Sequence, residues 1–234
     1  MSDLDDPRVQ RLLEAFGKQE DLHPDLQEYL EEGGRFGPML RHPLVYSIMH
    51  APEMNAMMNQ QYEAKRKAIA EASTERAWGT YIFMHERPYR VNAFISLDDR
   101  LTDSEYWSLL GRIWVDSENI RQQQKVWHRL LSSDRKDRAQ IMYGDERAAL
   151  AALPAWIPVF QGHTNESHDG WSWTTNKSTA EWFAQRFADF EDATPVVTSG
   201  TVRRCDVLAF FTRRGENEIL VKRGLVKNKG RRIL

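Results

Sequence analysis

Cysteine is nearly absent. Cys205 is the only one in 234 residues, which excludes an internal disulfide and fits a reducing compartment. It stands in a strand-like run, so a buried structural thiol is expected there. Long apolar runs are missing as well: the opening MSDLDDPRVQ is acidic and no hydrophobic stretch follows it, so neither a signal peptide nor a membrane span is expected. Nor does one sign of charge dominate. A net charge of −2 supplies no global field toward nucleic acid or an acidic membrane. The segment Gly33 to Gly37 (GGRFG) lacks the Lys-Ser/Thr and the strand context of a phosphate loop. His163, His168 and Asp169 match no zinc spacing and read as a polar loop, and His85-Glu86-Arg87 lacks the second histidine of a zincin helix. Repeats and low-complexity segments are also missing.

What is present is the material of a folded core: 41% hydrophobic residues and eight tryptophans. Residues 1–153 read mainly as helices. Asp6 before Pro7 starts one, with Val9, Leu12, Leu13 and Phe16 at helical spacing. A short helix is expected from Pro24 to Glu32, stopped by Gly33-Gly34, and a long one from Glu53 to Glu75, with Met54, Met57 and Met58 as core filler. Between Trp78 and Leu97 strands and short helices remain equal alternatives. Thr102 and Glu105 have capping-box spacing ahead of the stripe Tyr106, Leu109, Leu110, Ile113 and Trp114; Ile120, Trp127, Leu130 and Leu131 mark the next helix. Two shorter helical runs follow Ser133, and Pro154 and Pro158 punctuate the chain.

Beyond that boundary, in residues 154–234, the period shortens. IPVFQGH and GWSWTT read as strands and Ser178 to Phe187 as a helix with Ala180, Phe183, Ala184 and Phe187 on one face. TPVVTSG, TVRRCDVLAFFTR and NEILVKRGLV are β-branched or aromatic runs divided by Gly200 and Gly215. From Arg213 onward Lys and Arg are dense; a solvated face with a frayed tail is the preferred reading, and contact with phosphates the other. The expected fold class is α+β, a helical N-terminal region followed by a small mixed α/β sheet domain.

Three motifs occur in order: Phe160-Gln161-Gly162, Trp171 to Thr175 (WSWTT), and Gly215 to Val221 (GENEILV). Together they resemble the arginine, serine, glutamate pattern of ADP-ribosyltransferases: an aromatic-Arg-Gly strand, a Ser-x-Ser/Thr strand leading into a helix, and a Glu-x-Glu strand start. The longer string GWSWTTNKSTAEWFAQRF, with VLAFF and RGENEILV after it, resembles a group of phage and prophage proteins related to those enzymes. That closer resemblance extends upstream through HERPYR, YWSLLGRIWVDSENI and ERAALAALP.

The resemblance implies an NAD-dependent transferase acting on a protein side chain, with NAD as substrate and arginine as the expected acceptor, in the cytoplasm (of a bacterial host, if phage-encoded). Cleaving nicotinamide from ribose builds positive charge on the sugar, which an oriented carboxylate stabilises more in the transition state than in the ground state. By resemblance Glu218 has that role and Glu216 directs the acceptor; strand alternation would set both on one face. Ser172 matches the family's first serine, and Ser172 and Thr174, two apart, are expected as ribose-side hydroxyls. Trp171, Trp173 and Phe183 are the expected aromatic wall, and Gly162 the glycine whose bare backbone approaches the carboxamide. The family's arginine is replaced by Gln161, which hydrogen-bonds but brings no charge, so the phosphates need another cation, Arg186 being one candidate, or bind less tightly. With water as acceptor the same site is an NAD glycohydrolase; without turnover it is a binding protein on an altered cleft.

Overall fold

The computed structural model describes residues 20–34, 37–118, 120–164 and 170–234. The helix expected from Asp6 to Phe16 lies outside them, as do His168 and Asp169. The fold is α+β with antiparallel sheets, and it divides into two compact units, Met1–Arg100 and Leu101–Leu234.

In the first unit, α1 (Pro24–Gln27) is a single turn capped by His23, whose Nδ1 accepts from the Asp25 amide at 3.1 Å. The expected extension to Glu32 is replaced by β1 (Leu30–Gly34), which pairs with β2 (Gly37–His42), itself paired with β3 (Val45–Ser47). Gly33 and Gly37, both at positive φ, serve this hairpin and not a helix stop. Cross-strand pairing overrides the local helical preference of this stretch. The region is therefore not purely helical. After a 3-10 turn at Pro52–Met54 come α2 (Asn55–Thr74), α3 (Trp78–Met84) and α4 (Arg90–Ile95), so the ambiguous segment is helical. Met58 and Tyr62 of α2 are buried among Leu22, Leu26, Leu40, Leu44 and Val45, with Met54 and Met57 packed against them, the filler role read from the sequence.

The second unit opens with α5 (Asp103–Asp116). Its capping box is formed: Glu105 N–H donates to Thr102 Oγ1 at 3.3 Å and Thr102 N–H to Glu105 Oε2 at 2.9 Å. After α6 (Gln124–Leu131) and a 3-10 turn at Arg138–Ile141 comes α7 (Gly144–Ala152). Trp107, Trp114 and Trp127 are buried, Trp114 edge-on to Trp127 at 5.1 Å between ring centres. The strands are β4 (Trp156–Thr164), β5 (Ser172–Thr174), β6 (Pro195–Arg203), β7 (Val207–Phe211), β8 (Glu218–Val221) and β9 (Lys227–Ile233), in the order β7-β8-β5-β4-β6-β9. Between β5 and β6 runs α8 (Lys177–Glu191), capped by Asn176 and pressed on the sheet through Ala180, Ala184 and Ala188.

The compositional boundary expected at 153/154 falls inside this unit. Side chains from the helical stretch upstream of it hold the sheet: Met142 Sδ, between two helical turns, accepts from the Phe210 amide, and the wholly buried Glu146 takes Arg213 Nε at 2.9 Å, Arg213 Nη2 at 3.0 Å and the Thr212 amide at 3.1 Å. Three details of the sheet differ from expectation. Gly200 does not end a strand: β6 runs through it, and the glycine marks a register shift against β9, where a Cβ would come within 2.4 Å of Val226 Cγ1. Cys205 is exposed in a 3-10 turn, because β6 has already ended at Arg203. The basic C-terminus is not frayed but forms the exposed edge strand β9. No helix among the described residues is long and apolar enough to cross a membrane.

Candidate active site

The strands carrying the three motifs are neighbours, β8 beside β5 beside β4. Glu218 stands opposite Thr174, and Thr174 opposite Phe160. Directly paired residues of antiparallel strands share a face, so Glu218, Thr174, Ser172, Phe160 and Gly162 lie on one side of the sheet. Gln161 and Trp173 point to the other. The expected dinucleotide contacts are thus divided between two faces.

Glu218 is the centre of the first group. Its Oε1 accepts from Ser172 Oγ at 2.5 Å, a diagonal contact across β5 and β8, and from Trp114 Nε1 at 3.1 Å. Burial is the strongest influence on this carboxyl and pushes it above the ordinary carboxylate range. The Ser172 and Trp114 hydrogen bonds and the Arg214 charge oppose that rise, while the negative charge of Glu216 adds to it. Trp114 was expected only as core. It is core, at 2% exposure, yet its one polar atom is spent on this carboxylate from a position 104 residues away.

Glu216 is close enough to act on Glu218 electrostatically, though not as strand alternation predicted. Asn217 has φ +48°, β8 begins only at Glu218, and Glu216 lies in the preceding turn. Its carboxylate meets Arg214 Nη2 at 3.2 Å, and its backbone carbonyl accepts from Thr174 Oγ1 at 2.6 Å. Thr174 Oγ1 also accepts from the Asn176 amide at 3.0 Å. This hydroxyl is therefore committed to the turn and the helix entry, not to a ligand. Arg213 and Arg214, counted among the solvated basic residues, both brace the fold, Arg213 from a mostly buried position and Arg214 from an exposed one. Arg213 stacks 3.8 Å from the Tyr143 ring centre while gripping Glu146, and Arg214 also donates to the Val115 carbonyl at 2.9 Å.

Gly162 is needed for a different reason from the one expected. A Cβ there would lie 1.9 Å from the Ala180 carbonyl oxygen and 2.7 Å from the Ala184 nitrogen, so its bareness admits α8 to the sheet. The Gln161 carboxamide donates to the Ser172 carbonyl at 2.8 Å, tying β4 to β5. Trp171 and Trp173 are buried; Trp171 meets His128 edge-on at 5.4 Å, and its indole N–H has no hydrogen-bond partner among the described residues. Lys229 Nζ, from β9, lies 5.7 Å from the Trp173 ring centre. Phe183 is half-buried and stacks on Phe187, while Arg186 lies over Trp182. His163 is a buried strand residue, not part of a loop, with Nδ1 against the Thr164 carbonyl and Nε2 against Thr198 Oγ1. Among the described residues no group of three His, Cys, Asp or Glu could hold a metal.

No protein-family model, curated protein or solved structure matches the chain.

Proposed function

We propose that the second unit is an NAD-dependent mono-ADP-ribosyltransferase domain acting on a protein side chain, with arginine as the acceptor. One observation carries the reading: a desolvated carboxylate at a strand start, Glu218, takes a hydroxyl from the neighbouring motif strand and has a second carboxylate, Glu216, within electrostatic reach. The order and adjacency of β4, β5 and β8 support it.

In this reading the ribose C1′–nitrogen bond breaks and nicotinamide leaves with the bonding pair, which quenches its ring charge. The positive charge appears on the ribose, where ionised Glu218 stabilises it. A guanidinium nitrogen then bonds to C1′ and gives up a proton. Ser172 orients Glu218 and so is a positioning residue. Glu216 already holds a guanidinium, that of Arg214, so an acceptor arginine displaces Arg214 or docks beside it. Because the pKa of Glu218 is raised, activity falls as pH drops through a value above the usual carboxylate range.

Labelled NAD incubated with the protein and an arginine-containing acceptor tests this. Transfer should drop about 100- to 1000-fold in Glu218→Gln, the size of losing one preorganised electrostatic stabiliser. Free nicotinamide without transfer means a glycohydrolase. No NAD consumption by the wild type sinks both. A non-catalytic binding protein then remains, a reading favoured by the charge-free Gln161 already engaged with Ser172.

A further inference from the structure

The first unit holds a cavity that the proposed activity does not use. It has a volume of about 410 Å³, opens to solvent, and is lined by Pro24, Asp25, Glu28, Tyr29, His42 and Tyr62. Pockets that take small molecules are commonly of this size. Three of its lining residues are aromatic and in mutual contact: Tyr29 meets His42 edge-on at 4.6 Å, and His42 meets Tyr62 edge-on at 5.1 Å. Two more carry carboxylates.

The carboxylates differ. Asp25 Oδ2 accepts the Tyr62 hydroxyl at 2.6 Å, which fixes its position and leaves its other oxygen available. Glu28 is exposed and has no ion pair or side-chain hydrogen bond among the described residues. The charged groups around the rim offset this pair only in part: His23 Nδ1 lies 3.9 Å from Asp25 Oδ2, and the charges of His23 and Arg66 bear on Asp25, but both are also engaged elsewhere. Arg66 lies over Tyr62 at 5.8 Å but is paired with Glu63 at 2.8 Å, and His23 Nε2 also faces Glu63 at 3.2 Å. His42 brings no positive charge of its own: its Nδ1 accepts the Leu44 amide at 3.0 Å, so it is the neutral ring, and burial holds its pKa down.

From this arrangement we infer that the cavity binds an organic cation, a guanidinium or alkylammonium group, seated against the Tyr29, His42 and Tyr62 rings with its charge toward Asp25 and Glu28. Aromatic faces attract such cations through their quadrupoles, and the two carboxylates repel an anion. A hard divalent metal prefers six or more oxygen ligands, which two carboxylates and a phenol do not supply.

Titrating the full-length chain with N-acetyl-arginine methylamide, with tetramethylammonium, and with N-acetyl-glutamate methylamide, while following the ring signals of Tyr29 and His42 by NMR, tests the inference. One or both cations should shift these signals saturably, and the acidic probe should not. A preference between the cations identifies the headgroup. Asp25→Asn should weaken binding about tenfold or more, as expected when a cation loses its counter-charge beside an aromatic face. Tyr29→Ala, at a ring that is 39% exposed, gives a second reading. Glu218→Gln should leave binding unchanged, so this result is independent of the proposed transferase. No saturable shift with either cation overturns the inference, as does a shift that persists undiminished in both pocket variants.

Discussion

Each unit contains a carboxylate that accepts a hydrogen bond from an aromatic side chain, and the two respond in opposite directions. In the first unit Tyr62 O–H donates to Asp25, and that bond is the main reason the Asp25 pKa lies below its ordinary value. In the second Trp114 N–H donates to Glu218, with Ser172 as a second donor, and the pKa nonetheless lies above the ordinary value. More donors accompany the less acidic group. The difference is solvent: Asp25 remains open to water, with His23 and Arg66 adding favourable charge, whereas Glu218 is desolvated and has Glu216 beside it. Hydrogen bonds to an ion offset desolvation but do not cancel it. An exposed acid is suited to hold a cation in its ground state, a desolvated one to respond to charge that develops during a reaction.

The largest test of this contrast lies in the ion pairs. Glu146 is wholly buried and grips Arg213, and Arg203 pairs with Asp206 at the surface at 2.8 Å. Arg213→Met leaves the Glu146 charge buried without its counter-ion and should cost about 3–5 kcal/mol of unfolding free energy. Removing the surface pair through Asp206→Ala should be nearly silent by comparison. Denaturant melts of the two variants check the ranking, and equal losses would break it. The next largest effect concerns Trp114→Phe. It preserves most of the packing and removes one donor to Glu218, so the carboxyl pKa should climb further and, for the transferase activity proposed above, the acid limb of its pH profile should move to higher pH. Activity at neutral pH should fall about tenfold or more, the scale of one hydrogen bond to a charged group. The Glu218 carboxyl signal, followed by NMR, reads the same shift independently of turnover; no shift means that the indole serves packing alone.

The local part of this arrangement was legible in the sequence. Thr102 and Glu105 announced the cap of α5 because both partners sit within one turn, and the stripe through Trp114 showed that the indole is buried. Where its N–H goes was not legible, since the acceptor belongs to a strand 104 residues later. Glu216 shows how a periodic argument fails. Alternation requires extended backbone on both sides, and Asn217, a residue type that tolerates left-handed φ, breaks it; Asn after Gly215-Glu216 was the available warning. The splitting of Gln161 and Ser172 between faces follows from the register of β4 on β5, which no spacing within one strand reveals. Gly162 was singled out for a close approach to a ligand; the close approach that the structure shows there is that of α8.

A smaller effect is expected in stability, and its sign is diagnostic. Glu218 has a folded-state pKa above its unfolded value of about 4.5. Its contribution to stability is therefore fully present below that unfolded value and is lost as pH rises through the folded one. At neutral pH the unfolded chain gains by ionising Glu218 while desolvation resists that ionisation in the folded one, a cost that Glu218→Gln removes, while the glutamine oxygen still accepts from Trp114 and Ser172. The variant should melt higher at pH 7, by roughly 4 °C for each kcal/mol recovered in a unit of this size, and the advantage should vanish below about pH 4. A variant that melts lower at pH 7 would show that the carboxylate is better solvated than its surroundings imply.

The smallest effect belongs to the exposed partner. Tyr62→Phe removes the principal cause of the low Asp25 pKa, which should return toward 3.8 in an NMR titration of the carboxyl. Asp25 stabilises the fold above its unfolded pKa, and that contribution is lost as pH falls through the lower folded value. The wild-type advantage over the phenylalanine variant should therefore narrow on the acid side of pH 3.8; the Glu218 pair's difference also shrinks at acid pH, but there the variant and not the wild type is the more stable. The Tyr62 hydroxyl, whose own pKa is pushed up to about 12 chiefly by burial and then by Asp25, remains protonated throughout this range and keeps donating. If the Asp25 pKa in the variant rises above 3.8 into the range of Glu218, then the first unit desolvates its acid as strongly as the second, and exposure does not separate the two sites.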